Sequence, residues 1–137
     1  MVRDIVRSRI LLARSSRQAT ADDLAIGADL ADTLAAHSDG CVGMAANMIG
    51  ERVCIIAVLD RNGRPRVMYN PSIVWHEGPY QTEEGCLCLE GTRPATRWRR
   101  IAVEYQDSSM RARTGRFEGL EAEAIQHEID HCDGVVI

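Results

Sequence analysis

The sequence predicts an α+β fold: antiparallel strands packed around a C-terminal helix bearing a metal-binding pattern, with a further helix near the N-terminus. Two segments, one towards each end, carry apolar or small residues every three or four positions. Between them lie short apolar or alternating runs separated by turn residues, among them the dipeptide Asn62-Gly63. At 137 residues the chain has room for one substantial core, so residues 1–137 read as a single domain.

The first helix is expected from about Ala21 to Ala36. Thr20 followed by Asp23 resembles an N-cap, and Leu24, Ala28, Ala31, Leu34 and Ala35 follow at helical spacing. The polar run His37 to Gly40 ends it, and Cys41 to Gly50 reads as a compact turn or short strand. Val53 to Leu59 and Arg66 to Tyr69 then form a hairpin across Asp60 to Gly63. Pro71 bars a central-strand role at its own position, Ile73 to Trp75 read as another short strand, and His76 to Glu84 as a polar connection. Ile101, Val103 and Tyr105 alternate as a strand with one buried face. Leu120, Ala124, His127 and His131 mark the second helix, with Gly134 as its C-terminal glycine.

A hydrophobic fraction of 45% and a charged fraction of 26% belong to an ordinary globular protein and exclude a disordered or fibrous one. The net charge of −4 is spread along the chain, so no direct binding to nucleic acid is expected. Arg93, Arg97, Arg99 and Arg100 read as a solvated face of strand and loop in preference to a patch for anionic ligands. Met1 to Arg17 mixes arginines with short apolar pairs and lacks the continuous apolar stretch of a signal peptide or membrane helix. A cytoplasmic location away from any membrane is the expectation. The five cysteines, Cys41, Cys54, Cys86, Cys88 and Cys132, are then free thiols kept for packing, metal or catalysis.

His127-Glu128-Ile129-Asp130-His131 is an HExxH pattern. On a helix, a spacing of four residues puts two imidazoles about 40° apart on one face, one turn above the other, where both reach one metal. Glu128 points about 100° from His127, suited to act as acid and base on a water without joining the ligands. A hydrolytic metal normally takes three protein ligands and keeps a position open, so a third ligand is needed. Cys86, Cys88, Cys132 and the acidic residues are candidates, and Cys86 stands out because Glu84-Gly85-Cys86-Leu87 joins a flexible glycine to a thiol in a loop-like stretch.

These segments resemble the motifs of the peptide deformylase family. Glu84-Gly85-Cys86-Leu87-Cys88 resembles EGCLS, and Gln126 to His131 matches QHExDH at every fixed position. Cys41 to Met48 approaches GxGxAAxQ, and Asn70-Pro71-Ser72-Ile73 looks like NPxI. The likeness spans roughly residues 20 to 137 with its motifs in the family's order. It implies metal ligation by Cys86, His127 and His131, action of Glu128 on the water, and an oxyanion contact from the Leu87 amide. It also implies that backbone groups at Val42, Gly43 and Leu87 hold the peptide. The reaction implied is hydrolysis of the formyl group from N-formylmethionyl peptides, including nascent chains at the ribosome, with one divalent ion as cofactor. A thiolate with two imidazoles suits iron(II) or zinc, with nickel or cobalt as further candidates.

Several positions depart from the family pattern. Met48 occupies the place of the glutamine whose side-chain amide resembles an oxyanion donor in the family, and a thioether cannot donate; losing one such donor costs about a hundredfold to a thousandfold in rate. Cys41 replaces the first glycine of its motif. Cys88 replaces the serine of EGCLS and reads as a packing residue pointing away from Cys86. Glu123, one turn before His127, either faces the site and favours cationic peptides or is a solvated helix residue. The sequence shows no counterpart of the family's proline-containing opening, and no C-terminal extension is expected after Val135, Val136 and Ile137. Two further readings remain open. One is a deformylase-like metal protein without efficient catalysis, or a hydrolase of another N-acyl substrate; the other is a general HExxH protease.

Overall fold

The computed structural model describes residues 1–135, so of the terminal apolar residues Val135, Val136 and Ile137 the last two lie outside the described residues. One turn of helix, α1 (Arg9–Leu12), which no periodicity announces, sinks Leu12 into the core. The N-cap expected at Thr20 forms. Its hydroxyl accepts from Asp22 N at 3.3 Å, Asp23 accepts from Thr20 N at 2.9 Å, and a 3-10 turn leads into α2 (Leu24–Ala36).

The buried stripe of α2 is rotated from the expected one. Gly27, Leu30 and Leu34 face inward, whereas Ala28 and Ala35 are exposed. The bulkier leucines choose the face, and Gly27 admits Tyr69: a Cβ at that glycine would meet the phenolic oxygen at 1.9 Å.

The strands β1 (Gly43–Ala45), β2 (Ile55–Leu59), β3 (Pro65–Cys86), β4 (Leu89–Gln106) and β5 (Ala112–Glu118) form an antiparallel meander in chain order. The expected hairpin joins β2 to β3 with Leu59 opposite Pro65. Its turn is held by Asp60, whose carboxylate accepts from Asn62 N at 2.8 Å and Arg64 N at 3.0 Å. Pro71 sits buried at a register shift between Tyr69 and Ser72, which spares the ladder the missing N–H.

His76 to Glu84, expected as a connection, instead continues β3. Cross-strand pairs hold this polar stretch to β4: His76 stacks on Trp98 with centroids 3.7 Å apart, and Arg99 lies over Tyr80 at 4.9 Å. The strand β5, with Phe117 as its one buried large apolar residue, carries too weak an alternation to be expected.

The last helix, α3 (Gly119–Cys132), ends at Gly134 with φ +75°, and Val135 N returns to Asp130 O at 2.9 Å. Leu120, expected on its buried face, is exposed. Between the helices runs β2, whose residues alternate: Ile55 and Ala57 pack in the layer with Leu30 and Leu34 of α2, while Ile56 and Val58 pack with Ala122 and Ile125 of α3. The α+β architecture is thus a meander with α2 against one face and α3 against the other. No helix among the described residues is long and apolar enough to cross a membrane.

Candidate metal centre

Gln126 sets the rotation of α3. Its side-chain oxygen accepts from Trp98 N at 2.8 Å, and its amide donates to Trp98 O at 2.9 Å and Ala122 O at 3.0 Å. With the helix pinned to β4, His127 and His131 turn into the interior, their ring centroids 5.2 Å apart and their planes inclined at 46°. His131 is wholly buried. His127 Nδ1 lies 2.9 Å from Glu84 Oε1, which orients the ring and leaves Nε2 for the site.

Opposite the helix, the β3–β4 hairpin closes with Cys86 paired to Leu89. The Cys86 sulfur reaches His131 Nε2 at 3.4 Å and Cys88 Sγ at 2.9 Å. Cys88 therefore does not point away from Cys86, as strand alternation suggested; the tight turn breaks that alternation and brings both sulfurs to the same side. Two overlapping sets of donors result, Cys86–Cys88–His131 and His127–Glu128–His131, each with ligand atoms within 4.8 Å of one another.

Charge follows from these contacts. The Cys88 thiol first, then both imidazoles, hold the Cys86 sulfur far below the usual thiol pKa despite its burial. Burial would lower the pKa of His127, but Cys86 and Glu84 outweigh it and push it up to about 10. Burial raises that of Glu128, only 4% exposed. Among the described residues Glu128 Oε1 and His131 Nδ1 are buried without a partner. A thiolate, two imidazoles facing it and an unpaired carboxylate oxygen are a donor set that fits a divalent cation, which would replace the protons now balancing the sulfur.

Behind the donors sits an ion network that the sequence did not disclose. Arg97 is 5% exposed, not part of a solvated face. Its guanidinium donates to Glu84 at 2.7, 3.0 and 3.1 Å and to Asp130 at 2.6 Å. Burial opposes the Glu84 charge, but His127 and Arg97 hold the carboxyl down at about 2. Glu84 and Asp130 lie inside the two motifs, which was a signal; Arg97 gave none, because its partners are 13 and 33 residues away.

A cleft of about 490 Å³ opens on the donors, and Val42, Gly43, Cys86, Leu87, His127 and Glu128 all line it. Gly43 leaves room for Glu128 there, since a Cβ would meet Glu128 Cγ and Oε2 at 3.1 Å and displace the side chain by a few tenths of an ångström. Met48 does not line the cleft. It is fully buried in the α2-side layer, with Ala45 N donating to its sulfur at 3.4 Å. Asn47 donates to Leu12 O at 3.3 Å and His131 O at 3.0 Å, so it is committed to the backbone. Glu123 faces the cleft, accepting from the Tyr80 hydroxyl at 3.3 Å. A larger groove of about 700 Å³ shares Val42, Leu120 and Ala124 with the cleft.

A family model described as polypeptide deformylase matches residues 5–137. A peptide deformylase of Clostridium beijerinckii is 41% identical over 137 residues, covering all of both chains. The crystal structure of a peptide deformylase from Thermus thermophilus is similar with a TM-score of 0.85 and 33% identity, over 99% of this chain and 83% of that one. That of a PDF from the Vibrio parahaemolyticus bacteriophage VP16T, in complex with actinonin, is similar with a TM-score of 0.86 and 28% identity, over 98% and 99%. Motif order, donor geometry and likeness over the whole length agree, and the chain belongs to the polypeptide deformylase family.

Proposed function

We propose that Cys86, His127 and His131 hold the single metal on which this chain's activity depends, the hydrolytic removal of formyl groups from nascent peptides. The observation that carries the assignment is the Cys86 sulfur 3.4 Å from His131 Nε2, beside the buried Glu128 carboxyl. One thiolate with two imidazoles suits iron(II) or zinc, with nickel or cobalt as substitutes. When bound, the metal supplies Lewis acidity, drawing the pKa of a water towards neutrality and polarising the formyl carbonyl.

The chain's own groups do the rest. Glu128 takes a proton from the attacking water, holds it in a buried site that favours the neutral carboxyl, and passes it to the departing amine. As the formyl carbon becomes tetrahedral, the Leu87 amide faces the developing negative oxygen; the C–N bond then breaks, giving formate and a free N-terminus. Val42 and Gly43 of the cleft wall offer backbone groups to the peptide, and residues beyond methionine continue into the groove that shares Val42 and Leu120. The five cysteines suit a reducing cytoplasm, where nascent chains are made, and residues 1–137 act as one domain.

One preparation made under anaerobic conditions and measured for metal content and formate release from formyl-Met-Ala tests this reading. Glu128→Ala should keep its metal and lose release; undiminished turnover would overturn the mechanism. A second reading, a metal-bearing protein with weak catalysis, is favoured by Met48, whose thioether offers no proton.

A further inference from the structure

Cys88 has no part in the mechanism above, yet its sulfur touches that of Cys86. Cys86 is the last residue of β3 and Cys88 the second residue of the turn that leads into β4, and their sulfurs are 2.9 Å apart. Their environments differ. Cys86 is partly exposed and lines the cleft, whereas Cys88 is 1% exposed behind it. Small molecules entering the cleft meet the Cys86 sulfur, and the atom behind it is a second thiol.

We propose that Cys86 and Cys88 form a peroxide-sensitive pair, joined on oxidation by a disulfide that withdraws the Cys86 sulfur from the metal site and is reopened by thiols. Cys86 lines the cleft and Cys88 is buried beside it, so the Cys86 sulfur, attacking as its thiolate, is the atom that meets the oxidant. It displaces hydroxide from hydrogen peroxide as the O–O bond breaks, becoming a sulfenic acid, and the hydroxide leaves as water with the proton that the Cys86 thiol gave up. The Cys88 sulfur then attacks the Cys86 sulfur; the S–O bond breaks and water leaves with the Cys88 proton. One peroxide thus takes two electrons from two thiols.

Without a resolving thiol, the sulfenic acid advances to sulfinic and sulfonic acids, which thiols do not reverse. A second thiol at position 88 therefore makes a damaging oxidation repairable. Any bound cation occupies the same sulfur, so the metal-loaded form reacts more slowly than the metal-free form. This inference rests on the assignment of Cys86 as a ligand.

The test uses the metal-loaded full chain and its Cys88→Ser variant, serine being the residue of the motif that this segment resembles. Metal content before treatment reports on the ligand assignment by itself. Both proteins, and a chelated portion of each, are then exposed to hydrogen peroxide and followed by intact mass, non-reducing peptide mapping and metal content. The wild type should become about 2 Da lighter, with the bridge mapped to Cys86 and Cys88 and its metal lost. Dithiothreitol should restore mass and metal binding. Cys88→Ser should instead become about 32 or 48 Da heavier at Cys86 and stay so after reduction. The proposal fails if the wild type stays reduced, if it gains oxygen at Cys86 as the variant does, or if its bridge joins cysteines other than Cys86 and Cys88.

Discussion

Replacing Arg97 with leucine tests whether the ion network behind the histidines supports the site or merely fills space. The guanidinium, 5% exposed, makes three contacts with Glu84 between 2.7 and 3.1 Å and one with Asp130 at 2.6 Å. Leucine would leave Glu84, itself 7% exposed, as a buried carboxylate facing His127 and the Glu123 carboxyl, with no fixed cation beside it. Removing one partner of a buried pair costs about 3–5 kcal/mol. With a urea dependence of about 2 kcal/mol/M for a domain of this size, the midpoint should fall by roughly 2 M. His127 would lose its orienting charge, weakening metal affinity by about 10- to 100-fold in a chelator competition. Adding Glu84→Gln should recover part of the lost stability, because a neutral amide needs no cation beside it. A midpoint shift below roughly 0.5 M with unchanged metal affinity would refute the argument.

Other perturbations have similarly definite outcomes. Gly43→Ala should push Glu128 by a few tenths of an ångström and reduce kcat for formate release by about tenfold while the fold persists; unchanged turnover would mean that Glu128 is free to move. Met48→Gln buries an amide in an apolar layer at a cost of about 1–3 kcal/mol, read as a lower Tm. Formate release should nevertheless rise by about tenfold or more if only that donor is missing, and a lower Tm with no gain would dismiss the idea. Arg17 holds the Asp23 carboxyl at about 2, below its unfolded value near 3.9. Because the folded pKa is the depressed one, this contribution is complete above the unfolded value and disappears as pH falls through the folded one. Arg17→Gln should therefore reduce stability at pH 6 but make little difference near pH 2, as denaturant curves at the two pH values would reveal.

The parts legible in the sequence were those written in neighbouring residues. The Thr20 cap, the Asn62-Gly63 hairpin and the HExxH turn each depend on spacings of a few positions, and the structure contains all three. The long polar hairpin was not legible, since its strands are held by cross-strand partners such as His76 with Trp98, which no local alternation encodes. Arg97 looked like a surface residue because charge is buried only where distant partners converge. Cys88 misled for the opposite reason: the alternation rule was applied across a turn that suspends it. The α2 stripe was misread because alanines resemble core residues on a helical wheel, while the larger Leu30 and Leu34 decide which side docks.

The five residues of β2 have one further consequence. Because Ile55 and Ala57 serve one apolar layer and Ile56 and Val58 the other, slipping this ribbon by a single residue would exchange the two sets and spoil both layers together. Neither layer can melt while its neighbour survives intact. Fluorescence from Trp98 beside α3, read in a Trp75→Phe background, and hydrogen exchange in α2 should thus trace one shared denaturation curve, an all-or-none loss in which the histidine-bearing helix never outlasts the helix across the sheet.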